Sequence, residues 1–292
     1  MWFYTALFAS LISGLSVAIS KQALKNVSPI ILYWIIITIS TPLVAILAFK
    51  DGIPELNKYF FIGVGGSVLL YSFSRILQFR VIRDANLSQV YPLIALTPIF
   101  TLIAAYFPPL SERPSSIAIF GGLISLIGCY VLNISSLKEG IFEPFKILFK
   151  NKLALYMLIA VATLGLVTVL DKIAITGTDP KNTNFALFSE NIIIILGFLP
   201  FLFSSSKREA SFKEILNNKK LLLILGVLAA ASNILGFISF GSANVGIVSA
   251  IFRSQIFFAL FFGFFLLKDR PKFETIFGTI IMIAGLLIIK IS

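Results

Sequence analysis

The chain carries one pattern twice. Leu267-Lys-Asp-Arg-Pro271 repeats Leu110-Ser-Glu-Arg-Pro114, and Ile276-Phe-Gly278 repeats Ile119-Phe-Gly121. Gly285 then falls on Gly128 and Ile291-Ser292 on Ile134-Ser135, while upstream, with one gap, Ala243-Asn244 falls on Ala85-Asn86 and Val248 on Val90. In each copy an apolar run follows the Ala-Asn start, breaks at an acidic-Arg-Pro turn and resumes as a second apolar run, which is the pattern of a helical hairpin. The beginning of the chain repeats as well, at a slightly shorter spacing: Gly14 with Gly165, Leu15 with Leu166, Lys21 with Lys172, Ala23 with Ala174 and Pro29 with Pro180. A chain built this way folds as two similar units, and a site between them draws on matched positions of both.

What those units are follows from composition. Hydrophobic residues make up 58% of the chain and charged residues 13%, with a mean hydropathy of +0.98. A soluble domain carries roughly 45–50% apolar and 25% charged residues, and no soluble core buries such an excess. Hydropathy supports about ten spans, at Trp2–Ser20, Pro29–Phe49, Tyr59–Phe79, Asn86–Phe107, Pro114–Ile134, Leu153–Leu170, Asn184–Phe203, Leu221–Phe240, Val245–Leu267 and Phe273–Ile291. The runs are continuous and lack the alternation of barrel strands of about ten residues. The expected fold is therefore an all-α integral membrane protein, multi-pass, of two five-helix repeats: residues 1–135 and 152–292, joined by an amphipathic linker at 136–151. No basic side chain precedes the first run, which is long enough to span, so it is read as a retained helix rather than a cleaved leader.

Five is odd, so the second unit enters the membrane from the opposite face. Inverted repeats of this kind hold a site between the halves near the midplane and let one half rock against the other. The alternative is that duplication only built a stable bundle. Two connections read as short helices lying on the membrane surface. Phe142, Phe145 and Phe149 fall on one helical face with Lys146 and Lys150 on another, and Ser211-Phe-Lys-Glu214 has the spacing of a capping box ahead of Ile215 and Leu216.

The formal charge of +11 suits a positive-inside distribution and does not require nucleic acid. Most of the Lys and Arg fall on the face opposite the N-terminus; Lys50, Lys58, Arg113, Lys172, Lys181 and Lys290 fall on the N-terminal face. Charge therefore places both termini outside. Histidine is absent and Cys129 is the single cysteine, which excludes Cys/His zinc sites and disulfides within the chain. No cofactor is expected, and no GxxxxGK[ST] phosphate loop is present.

Polar groups left inside the spans are the candidate site. A charged side chain at a helix centre costs about 2.5–3.5 kcal/mol on insertion scales, so it needs a partner or a wet cavity. Arg253, with Ser249 and Gln255 nearby in sequence, is the candidate anchor for a carboxylate or phosphate. Arg75 either faces the same path or snorkels to the surface. Glu190 reads as the one carboxylate well inside the hydrocarbon, at a depth similar to that of Arg253, so the two are placed to pair; it is the candidate proton-coupling or cation site. Repeat symmetry matches Ser74 with Ser232 and Arg75 with Asn233, and Tyr71, Gln78, Gln89 and Tyr91 extend that set. The bland reading of each is an interhelical hydrogen bond. Gly121 with Gly128, and Gly278 with Gly285, place small residues two turns apart for close helix contact. Pro42, Pro92, Pro98 and Pro200 can kink their helices.

Two halves, each ending in an acidic-Arg-Pro turn (Glu112-Arg-Pro114, Asp269-Arg-Pro271) and a glycine-containing closing helix, resemble the EamA branch of the drug/metabolite transporter superfamily along nearly the whole chain. The resemblance implies secondary transport, often export, of amino acids, other small metabolites or drugs, in a prokaryotic-type plasma membrane. It also implies a cavity between the halves lined by the third, fourth, eighth and ninth spans, and both termini inside, against the charge count. The small multidrug members couple through a glutamate in their first helix; Trp2–Ser20 has none, so that mechanism does not carry over. The expected partners are a small anionic or zwitterionic solute and the lipid bilayer, with a proton or other ion gradient as energy source. An enzyme acting on a lipid or lipid-linked substrate, and a receptor or assembly protein that transports nothing, remain the alternatives. The first would need convergent acid/base groups at one face, of which the sequence gives no sign.

Overall fold

The computed structural model describes residues 2–111, 113, 115–131, 150–202, 208–269 and 271–291. Within lipid every backbone amide must find its partner inside the chain, which leaves helices as the form for continuous apolar runs. Helices α1 (Trp2–Ala23), α2 (Pro29–Ala48) and α3 (Lys58–Asp84) come first, then the short α4 (Leu87–Val90), a 3-10 segment (Tyr91–Leu96), α5 (Thr97–Ala105) and α6 (Ser116–Val131). The second unit holds α7 (Lys152–Thr176), α8 (Thr183–Leu202), α9 (Arg208–Asn217), α10 (Lys219–Ser242), α11 (Val245–Phe252), α12 (Gln255–Leu267) and α13 (Phe273–Ile291). Six of these, α1, α2, α3, α7, α8 and α10, are long and apolar enough to cross a membrane, and shorter apolar helices lie at Tyr91–Ala105, Gln255–Leu267 and Phe273–Gly285.

Local chemistry sets the helix starts. Asn57 accepts from the Tyr59 amide at 2.9 Å, and Asn151 from the Leu153 and Ala154 amides at 3.0 and 3.3 Å, each covering donors that the first helical turn leaves open. Pro29 opens α2, where its missing N–H costs nothing.

The fourth and ninth predicted spans are broken rather than continuous. In the fourth, Pro92 cannot donate to the helical ladder and the backbone tightens to a 3-10 segment over Tyr91–Leu96. In the ninth, the Ser254, Ile256 and Phe257 amides bond three residues back, to Ile251, Arg253 and Ser254, so the break falls at Arg253. The sixth predicted span stops too early: α7 continues to Thr176 and carries Asp171 within it. The capping box is also corrected. Helix α9 begins at Arg208, ahead of Ser211, and Glu214 instead accepts from the Ser28 amide at the start of α2, at 2.7 Å. The predicted surface helix around Phe142, Phe145 and Phe149 lies outside the described residues, as do Glu112, Pro114 and Arg270 of the two turns.

The two units interlock with approximate two-fold symmetry. Helix α1 packs on α10 and α12 of the second unit, and α7 packs in the same manner on α3 and α5 of the first, while α2 meets α8 and α6 meets α13. Glycine makes these contacts close. A Cβ at Gly14 would lie 2.5 Å from Cβ of Phe258, and one at Gly165 would lie 2.5 Å from Cβ of Phe100, so matched glycines seat against matched phenylalanines. Between α6 and α13, Gly128 approaches the Gly278 carbonyl closely enough that its Cβ would lie 2.7 Å away. A lysine fastens each unit internally. The Lys21 ammonium donates to the carbonyls of Ile82, at 3.1 Å, and Ala85; that of Lys172 donates to Phe240 and Ala243 at 2.7 and 2.9 Å. These carbonyls end α3 and α10, where helices leave acceptors without intrahelical donors and favour positive charge. One feature has no sequence signal: β1 (Glu55–Leu56) pairs antiparallel with β2 (Thr178–Asp179), setting Glu55 opposite Asp179 and joining the units at one face.

Candidate functional site

A cavity of about 110 Å³ lies between the units. Its wall takes Tyr71, Arg75 and Gln78 from α3, Thr168 and Asp171 from α7, Glu190 and Asn191 from α8, Ser232 and Asn233 from α10, Ser13 from α1, and Arg253 and Gln255 from the break between α11 and α12. A smaller space of about 40 Å³ shares Ser13, Tyr71, Arg75, Ser232 and Asn233 and reaches Tyr33. Period places these groups. Tyr71, Arg75 and Gln78 stand four and three residues apart, on one face of α3.

Arg253 is 3% exposed, its Nε has no hydrogen-bond partner, and its guanidinium stands 5.8 Å from the Phe252 ring centre. Arg75 does not snorkel. It donates to Gln78 Oε1 at 3.2 Å and lies 4.8 and 5.9 Å from the Phe79 and Tyr71 rings, contacts that favour a half-buried cation in this position. Gln255 Oε1 accepts from Ser13 at 2.5 Å, linking the break to α1.

Glu190 does not pair with Arg253: among the described residues neither is in an ion pair. The carboxyl instead lies beside Asp171, whose Oδ1 accepts from Ser67 at 2.5 Å. Glu190 is therefore not the one carboxylate of the interior. Asp171, 6% exposed, was hidden from the sequence reading because it follows the end of the apolar run and precedes Lys172. A longer helix brings it inside, since the lysine spends its charge on helix-end carbonyls. Asn191, also missed, is 2% exposed with its Nδ2 unpartnered. Arg75 and Arg253, and likewise Asp171 and Glu190, line the one cavity. Like charges are thus grouped within one small space, with polar atoms left open on both sides.

Ser74 and Tyr91 are not part of the wall. Ser74 is fully buried, donating to the Ala160 carbonyl at 2.8 Å and accepting from Gln78 at 3.0 Å. Tyr91 is 1% exposed within the 3-10 segment. The side chain of Gln89 lies outside the described residues. Ser249, which neighbours Arg253 in sequence, is fully buried with its Oγ unpartnered.

Two interlocked helical units around a cavity that takes polar groups from both define a class of multi-pass membrane protein. The family model described as EamA-like transporter family matches residues 1–134 and again 151–291, and the chain belongs to that family. Its members are transporters that handle small molecules in a membrane. A solved structure described only as "Crystal structure of protein" superposes with a TM-score of 0.63 at 14% identity, over 99% of this chain and 97% of that one, which speaks to the fold alone. No curated protein matches the sequence.

Proposed function

We propose that this protein is a secondary transporter which moves a small organic solute, an amino acid or a related metabolite, by rocking its two repeats about the central cavity. The observation that carries this reading is the composition of the cavity wall. Arg75 comes from the first repeat and Glu190, Asn233 and Arg253 from the second; the first three stand on helices that pack across the repeat boundary, and Arg253 sits at the break between two helices that do so. Arg253 is the anchor for a carboxylate or phosphate on the solute, because it is a buried cation that lines the cavity and its Nε has no hydrogen-bond partner. A planar fork binds such groups through two parallel bonds, which lysine cannot do. Movement runs on an ion gradient or by exchange.

The test is solute flux in liposomes containing the purified chain and loaded with a mixed pool of amino acids and metabolites, with and without a proton gradient. The expected result is movement of one solute class, abolished in Arg253→Ala and strongly reduced in Arg253→Lys. If the folded protein moves nothing from a broad pool, the reading fails. If Arg253→Lys moves the solute as well as the wild type does, transport stands but the forked anchor does not.

A further inference from the structure

We propose that Asp171 and Glu190 form a monovalent-cation site in the wall of the central cavity, holding one proton when empty and exchanging it for a sodium ion or a primary ammonium group. The proposal rests on the transporter reading only for its purpose; the site itself is argued from its own atoms.

Two carboxyl groups side by side in a low-dielectric interior cannot both stand charged without a cation between them, because nothing there screens their repulsion. Asp171 and Glu190 stand in that relation, from α7 and α8, with Ser67 of α3 bonded to Asp171. Among the described residues neither carboxyl is in an ion pair. The second observation is that Glu190 Oε1 has no hydrogen-bond partner, although the residue is 6% exposed and lines the cavity. An acceptor left open there is a vacancy for a donor or a cation.

The ligand class follows from the donors. They are hard oxygens, suited to a proton, an alkali ion or an ammonium group rather than a soft metal. No group of three or more His, Cys, Asp or Glu gathers among the described residues, too few for a divalent ion held by the protein alone. The other ionisable groups lining the same cavity are Tyr71 and Arg75 of α3 and Arg253 at the break between α11 and α12, with Tyr33 of α2 in the adjoining space; the facing groups of α10 are uncharged. When a cation binds, the O–H bond of the protonated carboxyl breaks, its proton leaves to solvent, and the cation takes up the charge left behind. No redox partner is involved.

The experiment uses the full chain in lipid nanodiscs, weakly buffered, with a pH-indicator dye. Sodium chloride, methylammonium chloride and choline chloride are added at equal ionic strength, and folding is checked by the melting transition in tryptophan fluorescence. The expected result is proton release with sodium or methylammonium and not with choline, lost in both Asp171→Asn and Glu190→Gln. Release with sodium identifies a coupling ion, and release with methylammonium alone identifies the ammonium group of a solute. No release with either cation from the folded protein overturns the proposal, as does release that persists in both variants. A protein that moves solute yet releases no proton loses this site and keeps its transport function; one that releases protons yet moves nothing keeps the site and loses the function.

Discussion

Ser74 and Ser232 make one hydrogen bond in two places: Ser74 Oγ donates to the Ala160 carbonyl at 2.8 Å, and Ser232 Oγ donates to the Ala9 carbonyl at 3.1 Å. Each serine sits on the third long helix of its own repeat, and each acceptor on the first helix of the other. The pair therefore pins the repeats together from both sides. Interhelical hydrogen bonds in membranes average about 0.6 kcal/mol and reach about 1.7, so Ser74→Ala and Ser232→Ala are each expected to lower stability by about 1 kcal/mol. Reversible unfolding in mixed micelles measures this. Because Ser74 is off the cavity wall, Ser74→Ala should leave solute affinity unchanged; a lowered affinity would return it to the binding site.

Close approach at the matched glycines gives a second expectation. A side chain at Gly14 or Gly165 meets backbone and Cβ atoms of the opposite helix, which have nowhere to retreat. Gly14→Val and Gly165→Val are expected to cost about 1–3 kcal/mol through overpacking and to reduce the yield of folded protein. Gly65→Ala and Gly197→Ala, with open space around both positions, should be neutral or stabilising by up to about 1 kcal/mol. Parallel melting curves of the four variants decide it, and equal effects at all four would refute the packing assignment.

The lysines that close α3 and α10 should be equally important to their own units. Lys21→Met and Lys172→Met keep the apolar stem and remove the ammonium, leaving helix-end carbonyls without a strong donor. Hydrogen bonds to charged groups are worth about 1.5–3 kcal/mol, so a loss of about 2 kcal/mol is expected for each. Hydrogen exchange should show the added opening at the ends of α3 for the first variant and α10 for the second. Opening elsewhere would show that the bonds do not hold those corners.

The matched lysines and glycines were legible in the sequence as repeats, because duplication preserves residue types at equivalent positions. What each residue does was less legible. The repeat comparison aligns Ser74 with Ser232 and gives both to the site, yet Ser74 lies off the cavity wall, while Ser232 makes the equivalent bond and also faces the cavity. Sequence symmetry reports equivalent position and does not separate packing from binding. Asp171 was missed for a different reason: hydropathy ends a span where charges begin, whereas this helix ends later and lets Lys172 reach the helix-end carbonyls of Phe240 and Ala243. The Glu190–Arg253 pairing failed because depth along two helices fixes only one coordinate, and the rotation of each about its axis decides who meets whom. The contact of Glu55 with Asp179 rests on two residues of strand on either side, too short to leave a pattern.

That last contact offers a direct test of rocking. Glu55 and Asp179 are opposite partners in an antiparallel pair, where Cα atoms stand about 4.5–5.5 Å apart, within disulfide range. In a Cys129→Ser background, Glu55→Cys with Asp179→Cys is expected to cross-link under mild oxidant and to stop solute flux, with flux restored by reductant. Full flux through the quantitatively cross-linked protein would mean that this face stays closed throughout the cycle.

The size of the cavity carries a consequence of its own. A space of about 110 Å³ holds on the order of ten water molecules, too few for an entering solute to keep its full hydration shell. On the proposed transport reading a solute would trade part of that shell for fixed side chains, and discrimination would become a contest of dehydration in which Arg75, Arg253, Asp171 and Glu190 offer the charges to be matched.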